Sequence, residues 1–161
     1  MDMLIKLYDL PAAPPALAAG IAVRKPIGPE HDLVRAWISE HFSRGWASEA
    51  GVALANRPAS LFIATRDDAL LGFCCYDATA KAFVGPIGVL ETTRGTGVGA
   101  HLLRACLTDM IAVGYGYGIV GYVGAADFFR KVAGAVEIDG STPGVYGGML
   151  RFPKGPPVSD A

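Results

Sequence analysis

Three glycines stand at alternate positions in Arg94-Gly95-Thr96-Gly97-Val98-Gly99-Ala100, between a strand-like segment and a helix-like one. A helix start leaves several backbone N–H groups unpaired and aligned, with the positive end of the helix dipole behind them. Glycines let a large anion come close to those groups, so the run suits a phosphate or pyrophosphate. The plain alternative is a loop that merely tolerates glycine. Context narrows the ligand. A P-loop carries Lys, then Ser or Thr, directly after its glycines, and no Lys follows here. A dinucleotide fingerprint follows an early strand and has an acidic residue about 20 positions on. Here the loop comes late in the chain, and Gly116–Gly121 holds no carboxylate. Of the three cysteines, Cys74, Cys75 and Cys106, the first two tempt as a nucleophile pair, but no His neighbours them in sequence and a strand interior suits burial. They read as small buried hydrophobes.

The elements that must position the loop show as changes of period. Leu4–Leu10 and Ile21–Arg24 are strand candidates, separated by a Pro/Ala-rich linker. Leu33, Val34, Trp37, Ile38 and Phe42 recur at helical spacing from Glu30 onward, and Trp46–Asn56 suggests a second short helix. Ser60–Arg66 and Leu70–Tyr76 read as a hairpin about Asp67-Asp68, followed by a strand at Phe83–Leu90. Val98, Leu102, Cys106 and Met110 step by four, beside a row of Leu103, Leu107 and Ile111, which predicts a helix over 97–113. Ile119–Val123 is a strand and Ala125–Ala133 a short helix. Val136–Asp139 and Val145–Phe152 are expected to close the fold as a hairpin. The tail Pro153–Ala161 is expected to hang loose.

Composition sets the class. A chain of 161 residues predicts one domain. With 52% hydrophobic and 18% charged residues it is no disordered segment. A net charge of −1 offers no basic excess for a polyanion, so no nucleic-acid partner is expected. No apolar run approaches the roughly 18 residues of a membrane span. Asp2, Lys6 and Asp9 interrupt any secretory h-region, so the expected setting is cytoplasmic.

Around the loop the residues resemble the GCN5-related N-acetyltransferases. That family's motif is Gln or Arg, two residues, Gly, one residue, then Gly or Ala, between a central strand and a helix. Arg94, Gly97 and Gly99 match it in order, and Ile87–Arg94 is similar to the strand entering the loop. Phe128-Phe129-Arg130-Lys131-Val132-Ala133-Gly134-Ala135 looks like the family's Phe-Tyr-x-Lys-x-x-Gly-Phe-type segment. The likeness in element order spans about residues 21–152, with 1–20 as an added N-terminal strand and linker. It implies an α/β fold with a mixed, mostly antiparallel central sheet flanked by helices. It also implies acetyl-coenzyme A as donor, transfer of acetyl to a primary amine of a small molecule or peptide by direct attack, and a homodimer as a plausible assembly. The pyrophosphate would rest on Arg94, Gly95, Thr96, Gly97, Val98, Gly99 and Ala100, beside Phe128 and Phe129. The pantetheine would pair along Val89, Leu90 and Glu91, with the Val89 N–H facing the thioester oxygen.

The chain departs from the family where acid and base are needed. Phe129 stands where many members place a Tyr acid, and a Phe cannot give a proton. Tyr122, ending a strand near the expected thiol site, is the substitute acid; a Tyr packed on the sheet is the alternative. Glu91 is the candidate base through a water, against a solvated strand-end carboxylate. For the acceptor, Trp46, Glu49 and His41 lie on or beside a Gly-broken junction between helices, where a Trp and a carboxylate hold an amine; Asp77 is a further candidate. A non-catalytic acyl-coenzyme A binding module of the same fold is the alternative function.

Overall fold

The computed structural model describes residues 1–151. Its order is β1 (Met3–Lys6), β2 (Ala22–Arg24), α1 (His31–His41), α2 (Arg44–Ala55), β3 (Leu61–Arg66), β4 (Ala69–Tyr76), β5 (Val84–Val89), α3 (Val98–Ala112), β6 (Tyr117–Val120), α4 (Ala126–Ala133) and β7 (Val136–Glu137). The architecture is α/β and mostly antiparallel. Strands β2-β3-β4-β5 form one sheet and β6-β1-β7 the other. One parallel bridge, Phe83 to Ile119, joins them.

Alternation along the strands explains the two-sided core. Leu61, Ile63, Phe73 and Cys75 face α1 and α2, where Val34, Ile38, Ala50, Ala53 and Leu54 cover them. Ala64 and Cys74 face the other way, onto Leu102, Leu103, Cys106, Leu107 and Met110 of α3. The neighbouring cysteines therefore lie on opposite faces, and all three are fully buried free thiols. Asp67 and Asp68 turn the β3–β4 hairpin with φ of 49° and 62°, a conformation that short carboxylate side chains tolerate. The Ser43 hydroxyl caps α2 by accepting the Trp46 N–H at 3.0 Å.

The N-terminal strand, expected as an addition to the core, forms over Met3–Lys6 and is the middle strand of its sheet. It pairs antiparallel with β6 (Met3 with Val120, Lys6 with Tyr117) and with β7 (Leu4 with Val136). Met3 and Ile5 are fully buried. The closing hairpin expected from Val136–Asp139 and Val145–Phe152 does not form in the described part. Residues Gly144–Tyr146 instead make a 3-10 turn. Phe152 and the tail Pro153–Ala161 lie outside the described residues.

The linker after β1 straps the outer face of α3. Arg104 donates to the Pro11 carbonyl, and the His101 ring nitrogen Nε2 donates to the Pro15 carbonyl at 2.6 Å. Among the described residues no helix is long and apolar enough to cross a membrane.

Candidate active site

The glycine loop leaves β5 through a short 3-10 turn, Glu91–Thr93, and enters α3. Gly95 and Gly97 have φ of 80° and 85°, the left-handed region that a Cβ disfavours. The first α3 hydrogen bond runs from the His101 N–H to the Gly97 carbonyl, 3.1 Å. The N–H groups of Val98, Gly99 and Ala100 therefore precede the helical ladder, and no side chain caps them. Thr96 secures the turn from behind, its hydroxyl donating to the Thr93 carbonyl at 2.5 Å. Arg94 is exposed beside these amides. Such a helix start attracts an anion of the size of a pyrophosphate.

Beside the loop, β5 has a free edge. Parallel strands β5 and β6 meet at the Phe83–Ile119 bridge, where the Ile119 N–H donates to the Ala82 carbonyl at 2.9 Å. Among the described residues they do not pair beyond it, so a wedge opens toward Val89 and Val120. The Leu90 N–H donates to Leu71 on β4. Backbone alternation then turns the Val89 N–H the opposite way, toward the wedge. Phe128 lies along this side: a methyl group built on Gly99 would stand 3.5 Å from Val89 and 3.6 Å from the Phe128 ring. Phe129, expected beside the donor, is instead 5% exposed and packs in the α3 core. The helical turn that aims Phe128 at the loop aims Phe129 inward.

The candidates of the acceptor side divide. Phe42 stacks on Trp46 at 5.3 Å, both rings reach Phe73, and His41 sits 4.9 Å from Trp37. Trp46 is thus half-buried packing with one open face, and His41 is exposed at its rim. Glu49, one turn after Trp46, accepts the Thr79 hydroxyl at 2.5 Å. Asp77 is not part of this group. Its carboxylate accepts the Ala82 N–H at 2.7 Å and the Tyr115 hydroxyl at 2.7 Å, and pairs with Lys81, so it organises the β4–β5 loop.

Both candidate catalytic groups are exposed. Glu91 is exposed in the 3-10 turn. Tyr122 is 72% exposed, beyond the end of β6 rather than on it. Its N–H donates to Asp2 Oδ1 at 3.1 Å. Against the Tyr122 ring, 5.9 Å away, lies a residue the sequence reading missed. Tyr146, from the 3-10 turn that replaces the expected strand, extends its hydroxyl over Gly121: a methyl group built on Gly121 would be 2.5 Å from that oxygen and 2.9 Å from the Phe83 ring. Burial raises the Tyr146 phenol above its ordinary pKa, opposed by a hydrogen bond with Thr79 and aided by the Glu49 and Asp2 carboxylates. Nothing in Gly144-Val145-Tyr146-Gly147 marks it, because its place depends on Asp2 far away in sequence. The Asp2 N–H donates to Ser141 Oγ at 2.7 Å, and its carboxylate lies against Gly144.

Comparison with known proteins follows the same outline. The sequence pattern described as "Acetyltransferase (GNAT) family" matches residues 31–135. No curated protein matches the chain. Among solved structures, it is similar to a GCN5-related N-acetyltransferase from Sphaerobacter thermophilus (21% identity, TM-score 0.65, 84% of this chain and 47% of that one). It is also similar to the GCN5-related glucosamine N-acetyltransferase region of a fungal multi-domain GH3 beta-N-acetylglucosaminidase (17%, TM-score 0.65, 82% and 19%). A GNAT family acetyltransferase from Brucella melitensis, solved in complex with acetyl-CoA, matches at 19% identity and TM-score 0.53 over 68% of this chain and 80% of that one. The chain thus spans about half the length of the Sphaerobacter protein and a fifth of the fungal one.

Proposed function

The chain belongs to the GNAT family of acetyltransferases, and we propose that it moves an acetyl group from acetyl-coenzyme A to a primary amine by direct attack, without an acyl-enzyme. The observation that carries this reading is the pairing of an uncapped, glycine-lined α3 start with the unpaired edge of β5. The residues fit the donor. The amides of Gly95 to Ala100, with the charge of Arg94, hold the pyrophosphate. Val89, Leu90 and Glu91 offer the edge along which the pantetheine pairs, and Phe128 walls it. The Val89 N–H points to where negative charge develops on the thioester oxygen. Phe129 supports this wall from the core rather than touching the donor.

The acceptor enters between α2 and the Gly144–Tyr146 turn, where Glu49 and the open face of Trp46 receive an ammonium, with His41 at the rim. Glu91 and Tyr122 flank the mouth of the wedge in this reading; proton transfer calls for groups nearer its apex. The amine is a small molecule or an exposed peptide amine. Three buried free cysteines suit a reducing, cytoplasmic setting. A second reading, an acyl-coenzyme A binding module without turnover, is favoured by one observation: the α4 position that often carries a Tyr holds a core Phe129.

Thermal denaturation tests the donor, with acetyl-coenzyme A, coenzyme A, ATP and NADH each at about 100 times Kd. A single-site ligand at that excess stabilises by about 2.7 kcal/mol, or about 5–10 °C at this length. The shift is expected with the two coenzyme A compounds. A larger shift with ATP or NADH would reassign the loop. Release of coenzyme A thiol on adding amines then separates the enzyme from the binding module.

A further inference from the structure

The segment joining β1 to β2 has a repeat of its own. Pro11, Pro14 and Leu17 are half-buried, and the residues between them are exposed. A period of three is that of an extended polyproline helix, which makes no internal hydrogen bonds and leaves its carbonyls to outside donors. Here α3 supplies them: Arg104 donates to the Pro11 carbonyl and His101 to the Pro15 carbonyl. Pro11 also lies 3.6 Å from a Cβ built on Gly134, the cap of α4. The strap therefore runs from the end of α4 back along α3 to the glycine loop, where Leu17 lies 3.9 Å from a Cβ built on Gly97. Two glycines of the loop thus face different neighbours. Gly99 faces Val89 and Phe128, the side of the wedge, and Gly97 faces Leu17, the side of the strap. None of Pro11–Ile21 carries a charge, and the stretch lies outside the residues 31–135 that match the family.

We propose that the strap is the nucleoside wall of the donor site, with Leu17 packing against the purine end of coenzyme A. The proposal rests on the donor reading above. A pyrophosphate on the Val98–Ala100 amides divides the donor into two arms. The pantetheine takes the Gly99 side, along the free edge of β5, so the adenosine takes the Gly97 side, where Leu17 lies. The chemistry of the strap suits that arm. A run of Pro, Ala and Leu has no cation to hold a phosphate and no carboxylate to repel one, while a flat purine buries apolar area against it. A polyproline segment is also stiff before the ligand arrives, so little freedom is lost when it is covered. Leu17 is here a specificity-determining residue in contact with the donor. His101 and Arg104 are positioning residues, which hold the strap over α3.

Coenzyme A and phosphopantetheine share the thiol arm, and only the first carries the nucleoside. Melting shifts titrated to millimolar ligand on the intact protein read the affinity for each, without knowledge of the acceptor. Wild type is expected to bind coenzyme A the more tightly. Leu17→Ala is expected to weaken coenzyme A about five- to tenfold, the effect of losing part of one leucine contact, and to leave phosphopantetheine unchanged. His101→Ala, which frees the strap, is expected to act in the same direction. His101→Gln, which can again donate to the Pro15 carbonyl, is expected to restore the affinity. Coenzyme A binding untouched by Leu17→Ala, or both ligands weakened alike, overturns the proposal but leaves the donor reading standing. Failure of the wild-type protein to bind either ligand overturns both.

Discussion

At the scale of single residues, backbone conformation decides more than side-chain chemistry. Gly97 holds a φ of 85° directly before α3 and lies 3.9 Å, measured from a built Cβ, from Leu17 of the strap. A β-branched residue there is strained by about 1–2 kcal/mol and places carbon where the anion should sit. Gly97→Val is therefore expected to weaken coenzyme A binding at least about tenfold, equivalent to about 1.4 kcal/mol, and to lower Tm by only a few degrees. Calorimetric titration beside a melting curve checks both. Normal affinity in a folded Gly97→Val protein would remove the loop from the donor site. Gly121 is the counterpart at the acceptor side, where the missing side chain makes room for a phenol.

At the scale of elements, β1 separates two ways of regarding the N-terminus. Were it an appendage, truncating one of its side chains would cost less than about 0.5 kcal/mol. As the middle strand, with Ile5 fully buried against the α3 side of the core, Ile5→Ala is expected to cost about 2–5 kcal/mol. Urea unfolding at constant slope measures the difference. Its placement also bears on the site. The segment that the sequence suggests as a strand forms the turn carrying Tyr146. Asp2, at the start of β1, ties that turn to the exit of β6 through Tyr122 and Ser141. An N-terminal strand thereby shapes the turn that carries Tyr146.

For the molecule as a whole, burial settles the thiols. Desolvation is the first cause that raises Cys75 and Cys106 well above an ordinary thiol, with Cys74 and nearby carboxylates adding to it. A thiol attacks as its thiolate. Cys75 and Cys106 are thus expected to stay silent toward a disulfide reagent in the native protein even near pH 9, and Cys74, fully buried, is kept from the reagent by access alone, so that all three react together after unfolding. For Cys75 and Cys106 the sign is fixed by the raised values: rising pH does not expose a thiolate until the fold opens. A thiol that reacts quickly in the native state would place a cysteine at the surface or in the cleft. The silence has a practical side, since coenzyme A release is then read against no background from the protein.

The sequence by itself determined the class of fold and marked the glycine loop at the start of α3. Both are written in short-range signals: the alternation of Ser60–Arg66 and Leu70–Tyr76, the four-residue step from Val98 to Met110, and alternate glycines between a strand and a helix. Each of these depends on neighbours within one or two turns, so it survives without knowledge of the rest. What only the tertiary structure decided is where distant pieces meet. The partner of β1, the inward turn of Phe129, the commitment of Asp77 to its own loop, the meeting of Thr79 with Glu49 and the seat of Tyr146 over Gly121 arise from contacts between residues far apart in sequence. Their geometry follows from sheet order, and sheet order from which strand best fills the place beside β6 and β7. A strand-like sequence at Val145–Phe152 could not reveal that β1 had already filled it.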